Sequence, residues 1–308
     1  MKKEILIITG PTSVGKTDFV NNISNAIASE IVNLDVGQFY TPFSIGTAKP
    51  DWKIQMVPHH LFDIIDKPIN YTVHQYRIDV INKVNEIWNK NKLPILVGGS
   101  GFYLLSLFFP PLNSNTQDIN LNFNNKNAWQ ELYKIDPIRA EEIDKHDPYR
   151  IQRALAIAVN GILPSNLKPE FNPFCSANII VLTRNRKDLY NMINSRTEQM
   201  LKQGWIKEVE NATSEWKDFL KEKKLIGYDD ILKYINGEFD IEKLKETIKK
   251  KTRNYAKRQE TFFKMLERRI KEQNQSKYCI DLNWLDLTLN DLNLYIKQLR
   301  ERYISEIF

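Results

Sequence analysis

The 308-residue chain has only two cysteines, Cys175 and Cys279, no C-x-x-C pair and no cysteine–histidine cluster. We therefore expect neither a disulfide framework nor a structural zinc site. The low cysteine content instead favours a reducing, cytoplasmic setting. Long hydrophobic runs are also missing, because "ILIIT" and "FYLLSLFF" are far shorter than a membrane-spanning helix requires. We expect no membrane association. "MKKEILIITG" lacks a small-residue cleavage site, which indicates a first strand rather than a signal peptide.

The composition is that of a globular protein, with 42% hydrophobic and 27% charged residues. The formal net charge is +6, and the pI is near 9.0. This positive charge reflects either a proteome that is rich in Lys and Asn overall or a polyanionic partner. The positions of the basic residues along the chain decide between the two.

Strand and helix signals alternate over the first hundred residues. "EILIIT", "EIVNLD" and "LPILVGG" are typical of buried strands, and the segments from Lys16 to about Ser29 and from Thr72 to about Lys90 have helical character. Strands that alternate with helices predict a parallel sheet with helices on both faces. The predicted class is α/β.

The pattern breaks after Phe109 at the Asn-rich stretch "PPLNSNTQDINLNFNNKN". We predict that residues 1–110 form the first part of an α/β core and that residues 111–177 form a small, all-helical insertion domain, interrupted at Asp136 and Asp147. Residues 178–272 return to the core with the strand "ANIIVLT" and a basic helix. Residues 273–308 form a tail to which the sequence assigns no role.

"GPTSVGKT" follows the first strand and has the pattern of a phosphate-binding P-loop. In such loops the backbone N–H groups turn inward onto phosphate oxygens, and the following helix adds the positive end of its dipole. Lys16 would supply a charge for the terminal phosphates, and the Thr17 hydroxyl would bind Mg²⁺. The predicted diphosphate- or nucleotide-binding residues are Gly10, Pro11, Thr12, Ser13, Val14, Gly15, Lys16 and Thr17.

Two further side chains are expected at the same end of the sheet, because ligands of parallel sheets lie outside the carboxyl ends of the strands. Asp35 ends the second strand and is placed to act as a base or a metal partner. The third strand ends in "GGS" without the acidic residue that many P-loop ATPases carry there, which disfavours a motor or switch ATPase. Ser100 offers a hydroxyl at this position or caps the next helix.

The segment from Ile241 to Glu272 has twelve Lys and Arg against five Glu. As a helix it carries one basic stripe, and such a run is usually a solvated surface. The excess of one sign over about eight turns nevertheless favours contact with a phosphate backbone. The predicted insertion adds Arg150 and Arg153. The basic stripe is Lys250, Arg253, Lys257, Lys264 and Arg268, and an apolar stripe is Ile248, Tyr255, Phe262 and Leu266.

Several segments together resemble one family, the tRNA dimethylallyltransferases, also called tRNA isopentenyltransferases or IPP transferases. The matching segments run in the family's order from about Ile5 to Lys264. They are "GPTSVGKT", "NLDVGQFY", "IGTAKP", "VPHHLFDI", "LVGGSGFYL", "HDPYRIQRAL", "GILPS", "IGYDDILKYINGE" and "TRNYAKRQETFF".

This resemblance implies a P-loop NTPase-like fold and transfer of a dimethylallyl group from dimethylallyl diphosphate to N6 of the adenosine 3′ of a tRNA anticodon. Asp35 matches the family's catalytic Asp, and Ser100 matches a Thr that contacts the target nucleotide. Arg253 would assist the P-loop and Mg²⁺ in holding the diphosphate. The expected protein is a cytoplasmic monomer.

The resemblance also implies a set of residues that contact the anticodon stem-loop of tRNA. The set comprises Asp35, Val36, Gly37, Gln38, Ser100, Tyr149, Arg150, Ile151, Gln152, Arg153, Ile226, Gly227, Tyr228, Lys257, Arg258, Gln259, Thr261 and Lys264. The chain departs from the family's pattern at Val36, where Ser is usual, at Ala156, where Glu is usual, and at Phe262, where Trp is common.

Three alternatives share parts of this pattern. A small-molecule or nucleotide kinase would bind ATP at the P-loop, but it leaves the basic helix and the insertion unexplained. An adenylate dimethylallyltransferase would act on free nucleotides and need no RNA-binding surface. A non-enzymatic RNA-binding protein would leave the P-loop and Asp35 without a purpose.

Overall fold

The computed structural model describes residues 3–24, 27–111, 127–273 and 276–305. The chain divides into two units, Met1–Phe108 with Asn172–Phe308 and Phe109–Phe171, which are described separately. The predicted insertion extended to residue 177, but Asn172 already belongs to the larger unit, where its N–H donates to the Phe108 carbonyl at 2.8 Å. Most of the Asn-rich stretch, residues 112–126, lies outside the described residues.

A sheet of parallel strands forms the centre of the larger unit. In the described residues the strands are β1 (Glu4–Thr9), β2 (Ser29–Asn33), β3 (His59–His60), β4 (Leu93–Val97), β5 (Ser176–Thr183) and β6 (Ile280–Asp286). Their order across the sheet is β3-β2-β4-β1-β5-β6, and Leu6 of β1 pairs with Ile95 of β4 and Asn178 of β5. The predicted α/β class is confirmed, and β1, β2, β4 and β5 are the four strands expected from the sequence.

β1 and β2 are buried along their whole length and β5 is buried at all but its two end residues, which explains their continuous apolar sequences. Helices cover the sheet on both sides because each parallel connection must cross over one of its faces. The helices in the described residues are α1 (Lys16–Ser24), α2 (Val73–Asn89), α3 (Gly101–Phe108), α4 (Ala128–Ile135), α5 (Pro137–Glu142), α6 (Pro148–Ala158), α7 (Arg186–Lys202), α8 (Trp205–Glu210), α9 (Ser214–Lys223), α10 (Tyr228–Ile235), α11 (Ile241–Lys271) and α12 (Leu292–Ser305).

The residues that the sequence left as a tail complete the sheet. β6 pairs with β5 in parallel register over seven residues, from Ala177 with Ile280 to Thr183 with Asp286. α12 then packs against α1, where the rings of Phe19 and Tyr295 lie 6.3 Å apart. This segment is therefore a structural part of the α/β core.

α11 is the predicted basic helix and is 31 residues long. It begins after Asp240, whose side chain accepts the Lys243 N–H at 2.7 Å. Of the predicted apolar stripe, Ile248 and Leu266 are buried, whereas Tyr255 and Phe262 are half-buried. The buried residues are Leu244, Ile248, Ala256, Gln259, Phe263, Leu266 and Ile270.

The smaller unit contains α4, α5 and α6. The two predicted interruptions are helix starts, because Asp136 accepts the Arg139 N–H and Asp147 accepts the Arg150 N–H, each at 3.0 Å. A proline occupies the first position of α5 and of α6, where no N–H is needed. The core of this unit contains Ala128, Leu132, Ala140, Ile143, Ile151, Ala154 and Leu155.

Candidate active site

The P-loop joins the end of β1 to the start of α1, at the carboxyl edge of the sheet. Gly10 has a φ of +142°, and a Cβ at this position would overlap the carbonyl oxygen of Leu182 on β5. Only glycine fits a turn that is both left-handed and this close to a neighbouring strand. Gly15 and Ser13 also have positive φ angles, of 108° and 64°. The loop therefore curls tightly around its own N–H groups.

Lys16 lies at the floor of the loop. Its ammonium group donates to the carbonyls of Gly10 at 3.0 Å and Pro11 at 2.9 Å. Burial lowers the pKa of Lys16 to about 8, the nearby Asp35 opposes this change, and Arg196 adds to it. Thr17 is exposed and lines the same cleft as Lys16.

Asp35 stands just beyond β2, where the chain turns into a short 3₁₀ helix, Val36–Phe39. Its backbone N–H donates to Asn33 Oδ1 at 2.9 Å, and its own Oδ1 accepts the Gly37 N–H at 3.3 Å. Burial raises the pKa of Asp35, although Lys16 is the strongest of several groups that oppose the shift. The carboxylate is thus fixed in direction and is a stronger base than an exposed Asp.

Ser100 connects β4 to α3 and is 8% exposed. Its Oγ accepts the backbone N–H of Val36 at 3.0 Å, and its own N–H donates to the Leu34 carbonyl at 3.2 Å. The hydroxyl therefore supports the turn that carries Asp35, and its hydrogen is left to donate. Of the two expectations from the sequence, a hydroxyl at the sheet mouth agrees with this geometry.

Arg196, on α7, was not predicted from the sequence. It lines the same cleft as Lys16 and Asp35. Burial lowers its pKa, while the carboxylates of Asp35 and Asp18 oppose that shift. Across the described ranges, no protein group forms a hydrogen bond or an ion pair with its guanidinium. A half-buried cation of this kind is available to an anionic ligand. Its role could not be predicted from the sequence, because Arg196 is one of several basic residues on a long helix.

Arg253, which was predicted to hold the diphosphate, does not line this cleft. Its Nη1 donates to Asn194 Oδ1 of α7 at 2.8 Å. The helical period explains the correction, because Thr252, Tyr255 and Gln259 turn toward the cleft while residue 253 turns toward α7.

The cleft has a volume of about 1040 Å³, enough for a substrate of substantial size. Its lining includes charged side chains, among them Lys16, Asp35 and Arg196, and apolar side chains, among them Ile193, Met200 and Trp205. The cleft therefore offers both ionic and apolar contacts to a ligand.

The predicted RNA-contacting residues beside Asp35 also lie on the cleft wall. Gln38 donates through Nε2 to the carbonyls of Thr47 and Ala48, both at 3.2 Å. Val36 and Gly37 line the cleft with it. The methyl group of Thr47 lies against Gly37.

Of the predicted segment Ile226–Tyr228, only Ile226 lines the cleft with a partly exposed side chain. Gly227 has a φ of +86°, and a Cβ there would overlap the ring of Trp205. Tyr228 is 1% exposed. The last two residues are therefore packed inside the protein, not on its surface.

The outer face of α11 carries the remaining predicted set. Lys257, Arg258, Thr261 and Lys264 are exposed, whereas Gln259 is 5% exposed and faces inward. Other cations of this helix are paired, since Lys249 contacts Glu198 at 2.8 Å and Lys251 contacts Asp230 at 2.6 Å. The unpaired basic surface is consequently narrower than the sequence suggested.

Within the smaller unit, the predicted segment Tyr149–Arg153 lies on α6. Tyr149 is 69% exposed, and its hydroxyl accepts a 3.3 Å hydrogen bond from Arg153. Arg150 and Gln152 are also exposed, but Ile151 is 3% exposed and belongs to the core of this unit. Ile151 thus holds the helix in place rather than forming its surface.

Two negative findings concern the described residues only. They contain no group of three His, Cys, Asp or Glu side chains that could hold a metal ion. No helix among them is long and apolar enough to cross a membrane.

Comparisons with known proteins agree on one family. The family model for "IPP transferase" matches residues 38–266. A tRNA dimethylallyltransferase of Petrotoga mobilis is 37% identical over 279 residues, covering 86% of this chain and 91% of its own. The tRNA dimethylallyltransferase of Thermotoga petrophila is 32% identical over 316 residues, which cover 99% of this chain and 99% of that protein.

Solved structures are similar over nearly the whole chain. A eukaryotic dimethylallyltransferase acting on tRNA superposes with a TM-score of 0.77 at 25% identity, covering 99% of this chain and 78% of that one. The tRNA isopentenylpyrophosphate transferase of Bacillus halodurans gives a TM-score of 0.66 at 27% identity, covering 99% of this chain and 97% of that one.

Proposed function

The chain belongs to the IPP transferase family, and from this we propose that it transfers a dimethylallyl group from dimethylallyl diphosphate to N6 of the adenosine 3′ of a tRNA anticodon. One observation carries the proposal within the structure. The P-loop, two cations and a carboxylate of raised pKa share a single cleft. Such a set can hold an anionic leaving group and remove a proton beside it.

The diphosphate end of the donor would lie against the P-loop. Its oxygens accept hydrogen bonds from loop N–H groups and from Lys16, whose ammonium turns from the loop carbonyls toward the ligand. Arg196 faces the same space and supplies a second charge, a role that the sequence had given to Arg253. Together these donors stabilise the negative charge that grows as the diphosphate leaves.

Mg²⁺ would have one ligand from the protein at this site. Thr17 offers one exposed hydroxyl, and Mg²⁺ commonly keeps several waters and binds mainly through substrate phosphates. When bound, Mg²⁺ would neutralise charge on the diphosphate.

Asp35 would act as the general base. The adenine N6 amine is a weak nucleophile because its lone pair is delocalised into the ring. As the N6–C1 bond forms and the bond between C1 and the diphosphate oxygen breaks, Asp35 takes the proton that N6 loses. The Gly37 N–H fixes the direction of the carboxylate, and the Ser100 hydroxyl supports the same turn while keeping a hydrogen to donate to the nucleotide.

The RNA would contact exposed basic surfaces. Lys257, Arg258 and Lys264 of α11 are arranged to meet a phosphate backbone, and in the smaller unit Tyr149 and Arg153 present an aromatic ring beside a cation. The target adenosine must leave its stack to reach the cleft. We further propose a monomer that works in the cytoplasm, where tRNA is modified, and size-exclusion chromatography with light scattering tests the first point.

The decisive experiment incubates the protein with unmodified tRNA, labelled dimethylallyl diphosphate and Mg²⁺, with and without ATP. The proposal expects label in tRNA without ATP, no label in a tRNA that has guanosine at the target position, and a loss of transfer when Mg²⁺ is chelated. Label in free AMP but not in tRNA would instead indicate an adenylate transferase. ATP-dependent phosphorylation of a small molecule would indicate a kinase.

A further inference from the structure

Gln259 occupies the inner side of α11, and both ends of its amide are bound to the phosphate site. Its Oε1 accepts the backbone N–H of Thr12, in the P-loop, at 2.9 Å. Its Nε2 donates to the carbonyl of Gly99, in the glycine turn after β4, at 2.8 Å. One side chain thus joins three segments that are far apart in the sequence.

The packing around this amide leaves little freedom. Gln259 is 5% exposed, and a Cβ on Gly99 would overlap its Nε2. The same glycine lies close to Lys16, because that hypothetical Cβ would be 3.5 Å from the Lys16 ammonium. Any shift of Gln259 would therefore affect both of its partners, the Gly99 turn and the Thr12 N–H of the P-loop.

We propose that Gln259 is a positioning residue for the diphosphate site, fixing the P-loop and the Gly99 turn from α11, rather than a residue that contacts RNA. The inference takes only its ligand, a diphosphate group, from the proposed function. Its neighbours Lys257 and Thr261 are exposed. Gln259 is 5% exposed, and both its Oε1 and its Nε2 already form hydrogen bonds within the protein.

The two roles differ in what a substitution should change. Gln259→Met keeps the length and nearly the volume of the side chain but removes both hydrogen bonds. Loss of the Gln259 acceptor leaves the Thr12 N–H without its partner, which costs on the order of 1.4 kcal/mol, or about tenfold in a binding constant that requires the ordered P-loop. We expect this variant to raise the Kd for inorganic diphosphate by about that factor and to leave the Kd for a synthetic anticodon stem-loop RNA unchanged.

The matched control is Gln273→Met, because Gln273 is exposed beyond the end of α11 and its Nε2 donates to the nearby Arg269 carbonyl at 3.1 Å, far from the P-loop in the sequence. Calorimetric titration of both variants with diphosphate and with RNA gives the comparison. Weaker RNA binding with normal diphosphate binding in Gln259→Met would overturn the inference, and so would normal binding of both ligands.

A measurement on the unaltered protein tests the same contact if the variant does not fold. The Thr12 N–H should exchange with solvent as slowly as the core amides of β1, without any ligand, because it is bonded inside the protein. Fast exchange at Thr12 would contradict the proposed contact. This result is independent of prenyl transfer, so a failure of the proposed function would show in the labelling experiment and not here.

Discussion

The hydroxyl of Tyr228 donates a 2.8 Å hydrogen bond to Oε1 of Glu208. The same carboxylate accepts the backbone N–H groups of Ser44 and Ile45, both at 2.7 Å, and of Gly46 at 3.1 Å. Burial raises the pKa of Tyr228 well above its ordinary value, so this hydroxyl remains a donor. Glu208 therefore fixes the loop whose residues Gly46, Thr47 and Ala48 form part of the cleft wall.

Replacement of this carboxylate should destabilise the protein. In Glu208→Gln one acceptor oxygen becomes an NH₂ group, which would face backbone donors. We expect the free energy of unfolding to fall by about 2 kcal/mol, the scale of leaving a buried donor unpaired. Urea unfolding measures the change. Glu210→Gln, two residues away and exposed, should have little effect, and equal midpoints for the two variants would contradict the role of Glu208.

Loss of the proposed base should affect chemistry and not RNA affinity. We expect Asp35→Asn to lower the rate of single-turnover transfer by roughly 10²–10⁴-fold, the usual contribution of general base catalysis. RNA binding, followed by a filter assay, should remain normal. The exposed Asp51→Asn serves as the control. A variant that reacts at the normal rate once RNA is bound would rule out Asp35 as the base.

The pH dependence of kcat/KM should reflect two groups of the free enzyme. Asp35 accepts a proton only when it is ionised, and because burial raises its pKa, activity should fall on the acid side at a pH above the ordinary Asp value of 3.8. Lys16 has a pKa of about 8, so its charge, and with it the affinity for dimethylallyl diphosphate, should be lost above that pH.

Lys16→Arg separates these two limbs. The guanidinium of Arg stays charged throughout, so the alkaline limb should disappear while the acid limb stays. Values of kcat/KM for dimethylallyl diphosphate from pH 5 to pH 9.5, measured at a fixed RNA concentration below saturation, provide the test. An alkaline limb that persists in this variant would have to come from another group.

Arg196 should contribute to affinity for the donor. We expect Arg196→Gln to raise the KM for dimethylallyl diphosphate by roughly tenfold to a hundredfold, since a charge-assisted hydrogen bond is worth about 1.5–3 kcal/mol. Arg186→Gln, on the exposed first turn of the same helix, is the control. If the KM is unaffected and only stability changes, Arg196 has a structural role.

The exposed cations of α11 should determine how RNA binding responds to salt. Replacing both Lys257 and Lys264 by Ala should weaken binding and reduce the salt slope by about one for each lost phosphate contact. Lys245→Ala removes a lysine of the same helix that is already paired with Glu242 at 2.7 Å, and should leave the slope unchanged. An unchanged slope in the double variant would assign these residues to solvated surface.

Local patterns predicted much of the fold and part of the site. The P-loop and Asp35 were found because each follows a strand directly, where a motif or a strand end marks the position. Arg196 and Glu208 could not be found this way, since both lie in helices whose charged residues look alike until tertiary packing turns some inward. Arg253 was predicted from the family resemblance, without any local signal of its own.

Gln259 and Tyr228 lie in segments that match the family's RNA-contacting segments. Helix orientation leaves them 5% and 1% exposed among the residues that line the cleft, which a local sequence match does not indicate. β6 was not predicted, although "IDLNWLD" has an alternating pattern typical of a strand. No motif beside this segment marks a further strand after the long helix.

The position of β6 has a consequence for the order in which a growing polypeptide can assemble. β1, at the centre of the sheet, emerges from the ribosome first, but the outer edge of β5 has no partner until residues 280–286 have been made. An uncovered edge of this kind invites pairing with a second molecule. Closure is reinforced where Arg302 of α12 meets Glu4 of β1 at 3.1 Å, an ion pair that forms only after residue 302 has been made. Chains that stop before Asp286 would therefore be prone to aggregate even though every residue of the cleft is present.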